Sequence, residues 1–179
     1  MTDGFLGPFK TVTPAVSATV AAPKKLEFAM QRQQSGNWCW AAVTASVCTF
    51  YAGATAISQC QIATKYLGKS CCLDPIPTAC DQMFTLELPL KLEGHLAGPK
   101  RDGVLAFDEI VREVDAGRVI CCHIRLAVAG HFVAIIGYDV DNREIIVSDP
   151  APTPLSAHLP YKGAATFPTG TWDESYLTI

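Results

Sequence analysis

From Trp38 to Tyr51 the apolar and small residues recur at helical spacing. Ala42, Val43, Ser46, Val47 and Phe50 share one face, and Gly53 follows as a stop. The pattern predicts a buried helix that begins at Cys39. A second helix is predicted from Ser58, a good N-cap, through Gln-Cys-Gln-Ile-Ala-Thr-Lys-Tyr-Leu to a stop at Gly68. A third spans Asp81–Leu88, ending before Pro89, and a fourth Phe107–Ala116, with acidic residues in its first turn and Gly117 after it. Beyond residue 118 the pattern shortens to strands: Val119–Leu126, His131–Val140, Glu144–Ser148 and Tyr176–Ile179, separated by turn residues such as Ala129-Gly130 and Asp141-Asn142. Helices first and strands second predict an α+β domain with helices on one side of an antiparallel sheet.

Residues 1–28 carry Thr, Ala, Val and Pro without either periodicity and read as an extended arm or leader, so that the domain runs over 29–179. With 179 residues, 49% of them apolar and 17% charged, the chain is long enough for one domain and short for two. A net charge of -3 with no basic stripe argues against nucleic acid. No apolar run approaches the roughly 20 residues of a membrane span. The N-terminus has neither the basic nor the apolar region of a secretory signal, which leaves a cytoplasmic chain or one exported by another route. Of the eight cysteines, Cys60, Cys71, Cys72 and Cys80 crowd around Pro75 and Pro77, as in a loop stapled by disulfides or clamped on a metal. Four cysteines allow three pairings, and spacing does not choose among them. Disulfides would imply an oxidising compartment.

The string Gln33-Gln34-Ser35-Gly36-Asn37-Trp38-Cys39-Trp40-Ala41-Ala42 puts a thiol on the first turn of the buried helix. Unpaired N–H groups and the helix dipole favour a thiolate there. Gln33, folded back beside the sulfur, and the Cys39 N–H could donate hydrogen bonds to a developing oxyanion; such a donor is worth about 3 kcal/mol. A thiolate nucleophile needs an imidazole. Of four histidines, His131 is best placed: it opens the most apolar strand, directly after a glycine. Asp149 ends the next strand in Ile145-Ile146-Val147-Ser148-Asp149-Pro150, and antiparallel pairing brings it beside His131 as orienting residue.

The Gln-x5-Cys-Trp-Ala-Ala block, the Gly-His-Phe-Val-Ala-Ile-Ile-Gly-Tyr-Asp strand and the Ser-Asp-Pro turn resemble bacterial papain-like cysteine peptidases, including plant-pathogen effector proteases, over about Gln33 to Ile179. The resemblance implies a papain-like fold, Cys39 as nucleophile, His131 as acid and base, Asp149 as orienting residue and Gln33 as oxyanion donor. It implies a thiol protease acting on a protein or peptide through an acyl-enzyme; a monomer with no cofactor, metal or membrane partner is expected. Three features depart from plant and animal papains: Asp149 replaces Asn, the Cys-Gly-x-Cys-Trp pattern is absent, and the nucleophile-to-histidine spacing is well short of the roughly 130–150 residues usual there. Papain's substrate preferences therefore do not carry over.

Each residue has a plainer reading. Cys39 alone would be a core cysteine like Cys48; Asp149 alone, a turn residue. Trp38 and Trp40 could line a substrate cleft, although packing is the commoner role of tryptophan at a helix start. Cys121-Cys122 should point to opposite faces of a strand, and Gln34 competes with Gln33. The rival functions are another thiol acyl-transfer enzyme (transglutaminase, amidase, deamidase or peptidoglycan hydrolase) and a catalytically silent relative whose cysteine-rich loop holds zinc.

Overall fold

A computed structural model describes residues 22–53, 57–151 and 156–179. In chain order these form β1 (Lys24–Lys25), α1 (Cys39–Ala52), α2 (Gln59–Leu67), α3 (Glu87–Leu92), β2 (Arg101–Asp102), α4 (Phe107–Asp115), β3 (Ile120–Arg125), β4 (Gly130–Asp139), β5 (Glu144–Ser148), β6 (Ser156–Pro160) and β7 (Thr171–Leu177). The strands make one antiparallel sheet in the order β2-β7-β3-β4-β5-β6, with β1 beside the far end of β4.

Helix α1 is enclosed on every side from Cys39 to Cys48. Its small residues let neighbours close in, and its buried hydroxyls bond back along the helix: Thr44 to the Trp40 carbonyl at 2.8 Å and Ser46 to that of Ala42 at 2.6 Å. Helix α2 starts with a complete capping box, Ser58 and Gln61 bonding each other's backbone N–H, and stops at Gly68 in the left-handed region, as its sequence predicts.

The third helix departs from expectation. It runs over Glu87–Leu92 instead of Asp81–Leu88, and Pro89 lies inside its first turn, where a missing N–H costs nothing. The residues before it serve another purpose: the backbone of Cys80, Asp81 and Gln82 accepts hydrogen bonds from the start of α1.

The sheet is covered on both faces, which corrects the one-sided packing. One core joins α1 and α2 to Cys121, Phe132, Ala134 and Ile136; the other joins α4 to Cys122, Val133, Ile135 and Val147. The cause lies in β3 to β5, which are apolar at consecutive positions, so that each strand has two faces to bury. Cys121 and Cys122 fall into opposite cores. The last strand begins at Thr171, five residues before the predicted Tyr176: Trp172 packs into the α4-side core and Tyr176 into the α1-side core, across a bulge, and the polar Asp173, Glu174 and Ser175 between them hide the strand. Edge strand β6 and the two-residue β1 and β2 carry too little apolar signal to be predicted.

Most of the segment expected as an arm lies outside the described residues. Of its remainder, Lys24 and Lys25 pair with Tyr138 and Gly137, and Phe28 is buried. A Cβ on Gly137 would meet the Lys24 carbonyl at 2.4 Å, so a glycine is what lets β1 lie so close. The four clustered cysteines form two disulfides, Cys60–Cys72 and Cys71–Cys80. Their sulfurs are therefore unavailable as the zinc ligands that the metal-holding alternative requires.

Candidate active site

Cys39 is the first residue of α1, and its N-cap, Trp38, supplies no side-chain bond to the helix. The first-turn N–H groups have no acceptor within the helix and remain for whatever approaches the sulfur. Cys39 itself is 7% exposed. Both flanking indoles are fully buried; Trp38 donates to the Cys80 carbonyl at 2.6 Å and Trp40 to that of Gln82 at 2.9 Å. Trp38 thus presents no surface to a cleft, while Trp40 forms part of a cavity wall.

His131 is the second residue of β4, opposite Ile124 of β3, and Asp149 directly follows β5. With Ala134 paired to Ser148, the start of β4 meets the chain leaving β5. His131 Nε2 lies 2.7 Å from Asp149 Oδ1, which also accepts the Ala151 N–H at 2.7 Å. That bond engages one ring nitrogen, and the Cys39 side chain acts on the same ring. Burial favours the neutral imidazole, but the Asp149 carboxylate and the Cys39 sulfur outweigh it, and the His131 pKa is lifted to about 9. Such a ring holds a second proton at neutral pH and can counter a thiolate.

Gln33 sits on the turn that leads into α1. Its backbone N–H donates to the Pro150 carbonyl at 2.8 Å, which ties this turn to the one carrying Asp149. Its side-chain Nε2 donates to the carbonyls of Ser35 at 3.1 Å and Gly36 at 2.8 Å, while its Oε1 is buried with no hydrogen-bond partner. Both amide protons brace the turn in this state. The competing Gln34 is exposed, and its backbone N–H bonds the Gln59 side chain.

Beside the sulfur is a cavity of about 130 Å³ lined by Asn37, Cys39, Trp40, Met83, Phe84, His123, Gly130 and Phe132. His123 and its partner are functional candidates that the sequence reading passed over. Its Nδ1 lies 2.7 Å from Asp173 Oδ1, giving a second imidazole–carboxylate pair near the first. A signal existed: His123 is opposite Phe132, next to His131, in a strand otherwise apolar from Ile120 to Ile124. Its ring fills the space over Gly130, where a Cβ would come within 2.0 Å of Nε2. The remaining histidines are elsewhere: His95 stacks on Tyr51, and His158 pairs with Glu144.

Cys48, Cys121 and Cys122 are also free thiols, all buried. Burial pushes the Cys48 pKa up to about 12 and raises those of the other two, so all three stay protonated at neutral pH. Among the described residues no three His, Cys, Asp or Glu side chains gather as metal ligands would, and no helix is long and apolar enough to cross a membrane.

In overall structure the chain is similar to the peptidase domain of Streptococcus ComA, a bi-functional ABC transporter involved in a quorum sensing pathway. The TM-score is 0.52 with 18% identity, over 84% of this chain and 98% of that domain. At this identity the likeness is one of fold. No curated protein matches the chain. Residues 25–176 match the family model described as Peptidase_C39 like. That span runs from the second residue of β1 through both halves of the Cys39–His131 site to nearly the end of β7: the α+β chain with its papain-like cysteine-peptidase fold belongs to the Peptidase_C39 like family.

Proposed function

We propose that the chain is a thiol endopeptidase acting, as a monomer, on a protein or peptide. Cys39 attacks the scissile carbonyl as a thiolate, and His131 holds the ion pair and then protonates the leaving amine. Asp149 fixes the ring through Nε2, so that the other nitrogen faces the sulfur. Water, deprotonated by the same ring, resolves the acyl-enzyme. The Cys39 N–H and the Gln33 side-chain N–H bind the oxyanion; Gln33 turns its amide donor from the Ser35 and Gly36 carbonyls towards the site. The further affinity with effector proteases rests on the Gln-x5-Cys-Trp-Ala-Ala block, the Gly-His-Phe-Val strand and the Ser-Asp-Pro turn.

The observation that carries this reading is the arrangement itself: a carboxylate 2.7 Å from one nitrogen of a histidine whose pKa is raised by that carboxylate and by the thiol at a helix start. Iodoacetamide at pH 6 tests it, because an ordinary thiol with pKa near roughly 8.5 reacts slowly there. Mass mapping is expected to find fast labelling at Cys39 in the wild type and loss of that rate in His131→Ala. Turnover should vanish in Cys39→Ala and His131→Ala and persist in Cys48→Ala. Equal activity in all three would remove the assignment.

A further inference from the structure

The turn over residues 33–38 carries one proposed oxyanion donor, Gln33, and leads into the other, the Cys39 N–H, yet it is neither helix nor strand. Its internal bonds, from Gln33 Nε2 and from the Trp38 N–H to the Ser35 carbonyl at 3.2 Å, close it upon itself but do not fix it in space. On one side the Gln33 N–H anchors it to Pro150. On the other it lies against three consecutive residues, Cys80 to Gln82. Asp81 Oδ1 accepts the Asn37 N–H at 2.7 Å, and the Asp81 carbonyl accepts Asn37 Nδ2 at 3.2 Å. The Cys80 and Gln82 carbonyls take the two indoles. The second Asp81 oxygen lies 3.4 Å from where a Cβ on Gly36 would stand, so the carboxylate spans Gly36 and Asn37 together.

Segment 80–82 has little of its own to hold it. It leaves a single 3-10 turn, Thr78–Cys80, and enters no strand. Cys80 is bonded to Cys71, both sulfurs buried, and the Cys71 N–H bonds Thr64 of α2 at 3.0 Å. A continuous path of covalent and hydrogen bonds thus runs from α2 through Cys71, Cys80 and Asp81 to the turn before the nucleophile. Cys60–Cys72, with Cys72 exposed, is a second tie from α2 to the residue beside Cys71, but it does not itself reach Cys80 or Asp81.

We infer that Asp81 is a positioning residue for the oxyanion turn, held in place by the Cys71–Cys80 disulfide, and that acyl transfer depends on both while activation of the Cys39 sulfur depends on neither. This rests on the catalytic reading above. The separation is physical: the thiolate is set up by His131 and the start of α1, whereas an oxyanion forms only when the sulfur adds to a carbonyl. A shift of about 1 Å in its donors can slow reaction by about a hundredfold.

Two probes of Cys39 separate these events. Iodoacetamide alkylates the thiolate by displacing iodide, with no oxyanion. p-Nitrophenyl acetate acylates the same sulfur through a tetrahedral oxyanion and releases p-nitrophenolate, read as a burst after subtracting the Cys39→Ala background. Asp81→Ala is expected to lower the acylation rate about tenfold to a hundredfold and leave alkylation within about twofold of wild type. Asp81→Asn, whose amide oxygen still accepts the Asn37 N–H, should restore most of the loss. Cys71→Ser/Cys80→Ser should reproduce the Asp81→Ala pattern, and Cys60→Ser/Cys72→Ser should match wild type. The inference is overturned if Asp81→Ala acylates normally, if both reactions fall together, or if Asp81→Asn is as slow as Asp81→Ala. Slow alkylation of wild-type Cys39 that ignores His131→Ala would instead overturn the catalytic reading.

Discussion

At the scale of single residues, the chemistry turns on how His131 is held. Its pKa of about 9 lies above the ordinary histidine value of 6.5. The ring should therefore stay protonated through neutrality, and kcat/KM should fall on the alkaline side with an apparent pKa near 9. Asp149→Ala removes one of the two partners that raise it. The alkaline limb should move towards neutrality and turnover should drop by about a hundredfold or more, with Asp149→Asn milder because an acceptor remains. The same shift has a sign for stability. A pKa raised on folding stabilises fully below the unfolded value and less as pH rises through the folded one, so this contribution fades from pH 6.5 to about 9. Urea unfolding at pH 6 and pH 9.5 checks it, and His131→Ala should lose less between those pH values than wild type. Cys39, His131 and Asp149 were legible because each stands at the end of an element whose period is plain. His123 was not, because its partner Asp173 is on the early half of β7, where polar residues hide the strand.

Among elements, termini were the most legible features and placement within loops the least. Ser58, Gly68 and Gly53 marked the ends of α1 and α2 because each answers a local need of the backbone. Ser58→Ala should cost about 1 kcal/mol, measurable by thermal unfolding. The third helix was displaced because Pro89 was read as a stop, whereas a first turn tolerates proline; the choice was made by segment 80–82, whose backbone serves α1. Nothing local in Asp81 signals that service. The start of β4 has a comparable hidden demand. Gly130→Ala would drive a methyl group into the His123 ring, beside His131. It should destabilise by about 1–3 kcal/mol and slow turnover, whereas Gly98→Ala, with open space around it, should do neither.

For the molecule as a whole, the sequence conveyed class and order but not the number of buried faces. Consecutive apolar residues in β3 to β5 already implied a sheet hidden on both sides, yet α4, with only Phe107, Ile110 and Val114 to bury, gave no sign of which side it would take. Ile135 stands in the α4-side core and Ile136 in the α1-side core, both nearly inaccessible. Replacing either by alanine should cost about 2–5 kcal/mol in urea unfolding. Only the Ile136 change, on the face of the sheet that also carries α1, should in addition slow Cys39 alkylation.

The two disulfides also bear on how the chain sorts its sulfurs as it folds. Eight thiols could in principle combine in on the order of a hundred fully paired ways, and an enzyme of this design fails if Cys39 joins any of them. The observed bridges span sequence separations of only 12 and 9, and short loops meet sooner and at a smaller entropic cost than long ones. Cys39 is 21 residues from its nearest candidate in that group; Cys48, nine residues on, is held about 13 Å away along α1 once the helix forms, and Cys39 becomes enclosed as α1 packs. Refolding in a glutathione buffer should therefore oxidise the local quartet first and leave a reactive sulfur behind, so that fidelity is achieved by order of events rather than by a dedicated partner.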